Sequence, residues 1–119
     1  MNQELKEVIA IIRPEKWRAT QQAVFSTGVQ GASQNRVLGR GRQAGLRYLK
    51  PNRELVAMGY LPKRYVSFVV PAELVKDVVG QIIHVNKSGN PGDGKIFVCP
   101  VLDAVRIRTG ERGHEAISK

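Results

Sequence analysis

Three stretches of this chain set glycines beside cations. "GRGRQAG", Gly39 to Gly45, holds three glycines and two arginines; "GNPGDGKIFV" places Gly89, Gly92 and Gly94 next to Asp93 and Lys95; "RIRTGERG" spaces Arg106 and Arg108 two apart. Glycine amides can form a concave nest of N–H donors for phosphate, and lysine adds a point charge there. Residues two apart on an extended backbone point to one face, so Arg106 and Arg108 would crowd two like charges unless an anion meets them. Alone, "GNPGDG" would read as an ordinary Asp-Gly turn. Together the three clusters suggest a clamp for a polyphosphate.

Other chemistries fit less well. Gly39, Gly41 and Ala44 match the glycine pattern of a dinucleotide fingerprint, which needs a helix after it and an acid about 20 residues on. Pro51 and the lack of an apolar period rule out that helix, and Glu54 comes too early. A basic RNA-binding module is the alternative of a different class, because RNA-recognition domains share the strand and helix order derived below. Their aromatic signature is absent, and Tyr65 and Phe68, three apart, fall on opposite faces of a strand. No metal-ligand spacing occurs. His84 and His114 lack a nucleophile or carboxylate pattern, and Glu73 and Asp77, at i and i+4, read as solvated. These residues do not read as those of an enzyme.

The charge agrees with an anionic partner. Nineteen Lys and Arg against ten Asp and Glu give a net charge of +9 over 119 residues. From Arg36 to Arg64 the basic residues Arg36, Arg40, Arg42, Arg47, Lys50, Arg53, Lys63 and Arg64 face only Glu54. Such a concentrated field favours phosphate, carboxylate, nucleic acid or an acidic surface. The single cysteine, Cys99, excludes an internal disulfide and sits in an apolar run, the setting of a buried thiol. No apolar run reaches membrane-spanning length, and "MNQELKE" lacks the features of a secretory leader; the chain reads as cytoplasmic.

The elements that would carry these clusters follow from period and punctuation. Val8 to Ile12 form an apolar run ended by Pro14, expected as a strand buried on both faces. Pro14 opens a helix that Gly28 stops, with Trp17, Thr20, Ala23 and Val24 on one face. A weaker strand spans 31 to 39, and a polar segment, 40 to 62, follows; a loop that long is often functional. "KRYVSFVVP" is a strand, and Leu74, Val75, Val78, Val79, Ile82 and Ile83 mark an amphipathic helix. "KIFVCPVL" is a further strand, and "AVRIRTG" reads as a short extended piece. The order βαβ, long loop, βαβ is the ferredoxin-like arrangement in one domain, residues 1–119.

These residues resemble the PII signal-transduction family of nitrogen-regulatory proteins along nearly the whole chain, from "AIIRPEKW" through "GVQGAS", "GRGRQAG", "YLPKR" and "GNPGDGKIFVCPV" to "AVRIRTGERG". The resemblance implies an α+β, ferredoxin-like βαββαβ sandwich with a long loop at about 41–61. It implies a trimer, or a mixed oligomer with a paralogue, binding ATP or ADP between subunits. Ser33, Gly39, Gly41, Arg42, Gln43, Val69, Gly92, Asp93, Gly94 and Lys95 would line the nucleotide, with Arg106 and Arg108 reaching the phosphates from the neighbouring subunit. The effector 2-oxoglutarate would lie beside a magnesium ion whose shell Gln43 completes. Arg13, Gln43, Ala44, Gly45 and Lys63 would hold it. A polyphosphate and a dicarboxylate repel unless cations stand between them, so binding both at a loop base couples ligand to loop shape.

Departures bear on the target. Val56 stands where many bacterial members carry a modified tyrosine, and Arg40 and Ala44 replace a common aromatic and lysine. "GRGRQAGLRYL", "LPKRYVSFVVP" and "HVNKSGNPGDGKIFVCPV" look like the nitrogenase-associated branch, whose members inhibit nitrogenase when 2-oxoglutarate is low. An ammonium channel or glutamine synthetase is the alternative target within the family. No nucleic acid and no membrane insertion is implied.

Overall fold

The computed structural model describes residues 4–40 and 60–118. Strand β1 (Leu5–Ile12) leads through a 3-10 turn, Pro14–Lys16, into helix α1 (Trp17–Phe25), which ends before Gly28 at φ 105°. Strand β2 (Ser33–Gly39) and strand β3 (Leu61–Pro71) flank the long connection. A second 3-10 turn opens helix α2 (Val75–Asn86), followed by strand β4 (Lys95–Val101) and a short helix α3 (His114–Ile117). Both expected helices begin with a proline-led 3-10 turn, because proline presets φ and lacks only an N–H that the first turn leaves unpaired.

The strands form one antiparallel sheet in the order β2-β3-β1-β4. Each βαβ crossover skips a strand, so β1 and β3 lie in the centre, as the ferredoxin-like reading requires. Val8 stands opposite Phe68 on one side and Val98 on the other, and Ala10 opposite Val66 and Ile96. Strand side chains alternate, so Val8, Ala10, Ile12, Val66, Phe68 and Val70 share the face that α1 and α2 cover, and all six are buried. Val24 of α1 and Val78 and Ile82 of α2 close that core. Burying a side chain the size of Phe68 contributes about 1.5–3 kcal/mol.

The expectation that β1 is buried on both faces is corrected. Ile9 and Ile11 are only half-buried, because α1 and α2 cover one face of the four-stranded sheet, while on the other face, among the described residues, the short α3 reaches β3 near Ser33, Ser67 and Val69 and leaves Ile9 and Ile11 partly open. That open face also carries Tyr65, Val69 and Phe97, the last 47% exposed. Cys99 shares it and is half-buried, not enclosed as the apolar run suggested. Apolar faces of this kind mark contact surfaces. The piece "AVRIRTG" is corrected too. Val105 bridges Arg112, but residues 107–109 turn, and the Gly110 N–H donates to the Arg106 carbonyl at 2.7 Å. Arg106 and Arg108 therefore do not share a strand face.

One polar pair joins the helices inside the core. Asn86 Nδ2 donates to Thr20 Oγ1 at 2.9 Å and to the Ile82 carbonyl at 2.9 Å, while Thr20 donates to the Lys16 carbonyl at 2.8 Å. Both residues are buried. Thr20→Val keeps the shape and removes an acceptor from a buried amide, which is expected to cost about 1–3 kcal/mol. Urea unfolding with an unchanged midpoint would show that the pair contributes nothing.

Candidate nucleotide and carboxylate site

The turn between α2 and β4 is built around one carboxylate. Asp93 accepts from the Ser88 N–H at 2.8 Å, the Gly89 N–H at 3.0 Å and the Ser88 hydroxyl, so residues 88–93 close into a ring. Arg13, just past β1, donates Nη1 to Asp93 at 2.7 Å and Nη2 to the Pro91 carbonyl at 3.0 Å. The Ser88 hydroxyl first, and then Arg13, hold the Asp93 carboxyl well below the usual carboxylate range. Lys63 of β3 donates to the Gly92 carbonyl at 2.8 Å. Burial and the neighbouring Arg13 charge lower the Lys63 ammonium, against the fields of Glu15 and Asp93.

Two glycines make this packing possible. Gly94 has φ 107°, and a Cβ there would fall 2.0 Å from the Ile11 carbonyl oxygen. No other residue lets the turn lie this close to β1. At Gly39 a Cβ would fall 3.0 Å from Lys63 Cγ, so the missing side chain leaves room for the lysine stem.

The result is an open cleft of about 760 Å³ at the loop base, whose walls include Gly39, Arg40, Lys63, Gly92, Asp93 and Lys95. A second, smaller cleft of about 410 Å³ brings Ser33, Val69 and Arg106 together. Arg106 is anchored by Glu111 Oε1 at 2.8 Å and by the Ser118 carbonyl at 2.5 Å, whereas Arg108 is exposed. Ser33, Gly39, Val69 and Lys95 all lie on the open face by strand alternation, yet they divide between two clefts of one chain. A larger cleft of about 950 Å³ lies at the other end of β1, but there Arg112 and Asp103 neutralise each other.

Gly41, Arg42, Gln43, Ala44 and Gly45, expected at this site, lie outside the described residues, as do Val56 and Tyr48. Among the described residues no group of three His, Cys, Asp or Glu could hold a metal. Asp93 borders the cleft while its carboxylate is engaged by its own turn and by Arg13. The reading of the residues missed Ser88, Lys87 and Phe97, of which Lys87 and Phe97 line the cleft. The signal for Ser88 was present: Ser, Asn and Asp close to glycines fold turns through their side chains.

The fold is an α+β domain with a glycine-and-cation cleft where β2 and β3 meet the turn at 88–93, and comparison with known proteins makes it specific. The family model "Nitrogen regulatory protein P-II" matches residues 5–111. "Nitrogen fixation nifHD region GlnB-like protein 2" of Methanobacterium ivanovii is 46% identical over 121 positions, covering 95% of this chain and 99% of that protein. "Nitrogen regulatory protein P-II 2" of Methanothermobacter thermautotrophicus is 42% identical, covering 95% and 97%. Among solved structures, the GlnK–ATP complex of B. subtilis superposes with a TM-score of 0.76 at 30% identity, covering 95% of this chain and 97% of that one. Arabidopsis thaliana PII bound to citrate gives 0.77 at 32%, covering 96% and 92%. The chain belongs to the nitrogen regulatory protein P-II family, which matches the expected trimer, and it resembles the branch named for the nitrogen-fixation region.

The depressed Asp93 carboxyl sets a pH dependence. A folded-state value below the unfolded one contributes stability above the ordinary carboxylate range, and this is lost as pH falls through the folded value. Asp93→Asn is therefore expected to be less stable than the parent near neutrality, with the gap closing in acid. Urea unfolding at a series of pH values checks this, and two parallel curves would contradict it.

Proposed function

We propose that this protein senses ATP or ADP together with 2-oxoglutarate and regulates nitrogen metabolism by binding a target protein through residues 41–61. The observation that carries this reading is the pair of cations, Arg13 and Lys63, held at the mouth of the glycine cleft by carbonyls and a carboxylate of the turn at 88–93. A dicarboxylate offers the same acceptors as Pro91, Gly92 and Asp93, so it competes for the same donors. Exchanging those contacts frees the turn beside the phosphates, which links effector occupancy to nucleotide occupancy.

The nucleotide would lie between subunits. Gly39, Gly92, Gly94 and Lys95 would hold one side, and Ser33 and Val69 would meet the base. Arg106 and Arg108 would arrive from the next copy, in a homotrimer or with a paralogue. The open sheet face, with Ile9, Ile11, Val69 and Phe97, supports burial against other copies. Magnesium would be held by phosphate oxygens and Gln43, since the Asp93 carboxylate is committed to its turn. The ATP and citrate in the names of similar solved structures support an anion site of this size.

The target is nitrogenase, inhibited when 2-oxoglutarate is low and released when it rises. The names of relatives from the nitrogen-fixation region favour it over an ammonium channel or glutamine synthetase. The protein acts as a cytoplasmic regulator and catalyses no reaction.

Calorimetric titration of 2-oxoglutarate, with Mg-ATP present and absent, tests the reading. Binding is expected only with Mg-ATP. Lys63→Ala is expected to weaken 2-oxoglutarate at least about tenfold, the loss of one charge-assisted contact, while ATP still binds. A protein that binds neither ligand would overturn the sensor reading, and RNA affinity falling steeply with salt would favour the basic module instead.

A further inference from the structure

The helix-bearing face of the sheet holds a second cationic feature. Arg36 of β2 stands directly opposite Arg64 of β3 in the antiparallel register, so the two side chains share one face. Like charges directly opposite destabilise a strand pair. The Arg64 guanidinium lies 5.3 Å from the centre of the Trp17 ring, and that of Arg18 lies 5.9 Å from the same ring. Arg64 donates Nη1 to the neutral Gln34 Oε1 at 2.6 Å, and its buried Nε has no partner. Among the described residues, none of Arg18, Arg36 and Arg64 forms an ion pair. Glu15, whose field reaches Lys63, pairs with none of them.

Beside these arginines runs an open groove of about 500 Å³ whose walls include Pro14, Arg36, Leu38, Pro62 and Arg64. Leu38 is 70% exposed and stands opposite Pro62, and Pro14, Val37 and Lys63 complete the groove's walls. The chain's own loop is a poor occupant. Residues 41–59 carry Arg42, Arg47, Lys50 and Arg53 against Glu54, so that segment adds positive charge. A nucleic acid would want an open ring for stacking. Trp17 is already flanked by guanidinium groups, and Leu38 and the prolines offer apolar contact instead.

We propose that this groove docks an acidic segment of a partner protein, its carboxylates meeting Arg36 and Arg64 and an apolar side chain covering Leu38. Arg36 and Arg64 lie on the face of the sheet opposite the nucleotide cleft, although the groove's edge shares Lys63 with that cleft. Because β2 and β3 run from it to either end of the loop, a partner seated here also lies against the loop base.

Trp17 is the only tryptophan of the chain, so its emission reports on the groove through Arg64, which lies over its ring. The full-length protein is titrated with a short peptide of glutamates around one leucine, and in parallel with a single-stranded oligonucleotide of matching charge. The expected result is a saturable change of Trp17 emission with the peptide that weakens with salt. Arg36→Gln does not touch the Trp17 stack and is expected to weaken the peptide at least about tenfold. The double variant R36Q/R64Q is expected to abolish binding, with an unfolding midpoint no lower than the parent's. Equal peptide affinity in Arg36→Gln, no response at all, or tighter binding of the oligonucleotide would each overturn the proposal.

Discussion

Four strands and two helices cannot close a sheet on both sides. That imbalance shapes this molecule more than any single contact. Val8, Phe68 and Ile82 are buried because α1 and α2 reach them, while Ile9 and Phe97 lie on the face that these two helices do not reach. The strand ends on that face carry the glycines and cations, and the two clefts they form each hold only part of the expected ligand contacts. A second copy against the open face would cover apolar surface and bring the partial clefts together. Packing and binding would then share one cause.

In the cleft at the loop base, Asp93 governs the geometry of the turn that borders it. It gathers Ser88 and Gly89 into a ring and fixes Arg13, while Gly94 lets the ring rest against β1. Lys63 is held to the same turn through the Gly92 carbonyl. Two cations are thus stored at the site, each satisfied by an acceptor that a stronger anion can replace. Such a tie keeps the turn ordered and leaves it responsive, since charge-assisted bonds exchange when a better acceptor arrives.

Most of the fold was legible because its signals are local. The run Val8–Ile12, the helices opened by Pro14 and Pro71, and the period of Val75 to Ile83 each name an element without help from the rest. What local pattern could not reveal was which face of β1 would lack cover, since that depends on the number of helices. The arginine pair was misjudged for a similar reason. Spacing alone made Arg106 and Arg108 neighbours on a strand, but Gly110 at φ 76° turns the chain, and the carbonyls of the last residues capture Arg106. Of the residues that line the cleft, Gly39, Gly92 and Gly94 stand out in the sequence by type and spacing, whereas Lys63 was marked only by the family resemblance. The contact between Asp93 and Arg13 could not be read this way, because Arg13, its long-range partner, is 80 positions away in sequence.

The central claim is that the nucleotide site is completed by a neighbouring copy. Lys95→Ala and Arg108→Ala alter exposed residues that would belong to opposite sides of one site. Each variant alone should lose high-affinity ATP binding. Unfolded together and refolded as a mixture, they should recover intact sites, about one quarter of the total for random assembly into a closed ring. Equilibrium dialysis of ATP against the mixture measures that fraction directly. Recovery near it is the result expected here; a mixture that binds no better than its components would contradict a site shared between chains.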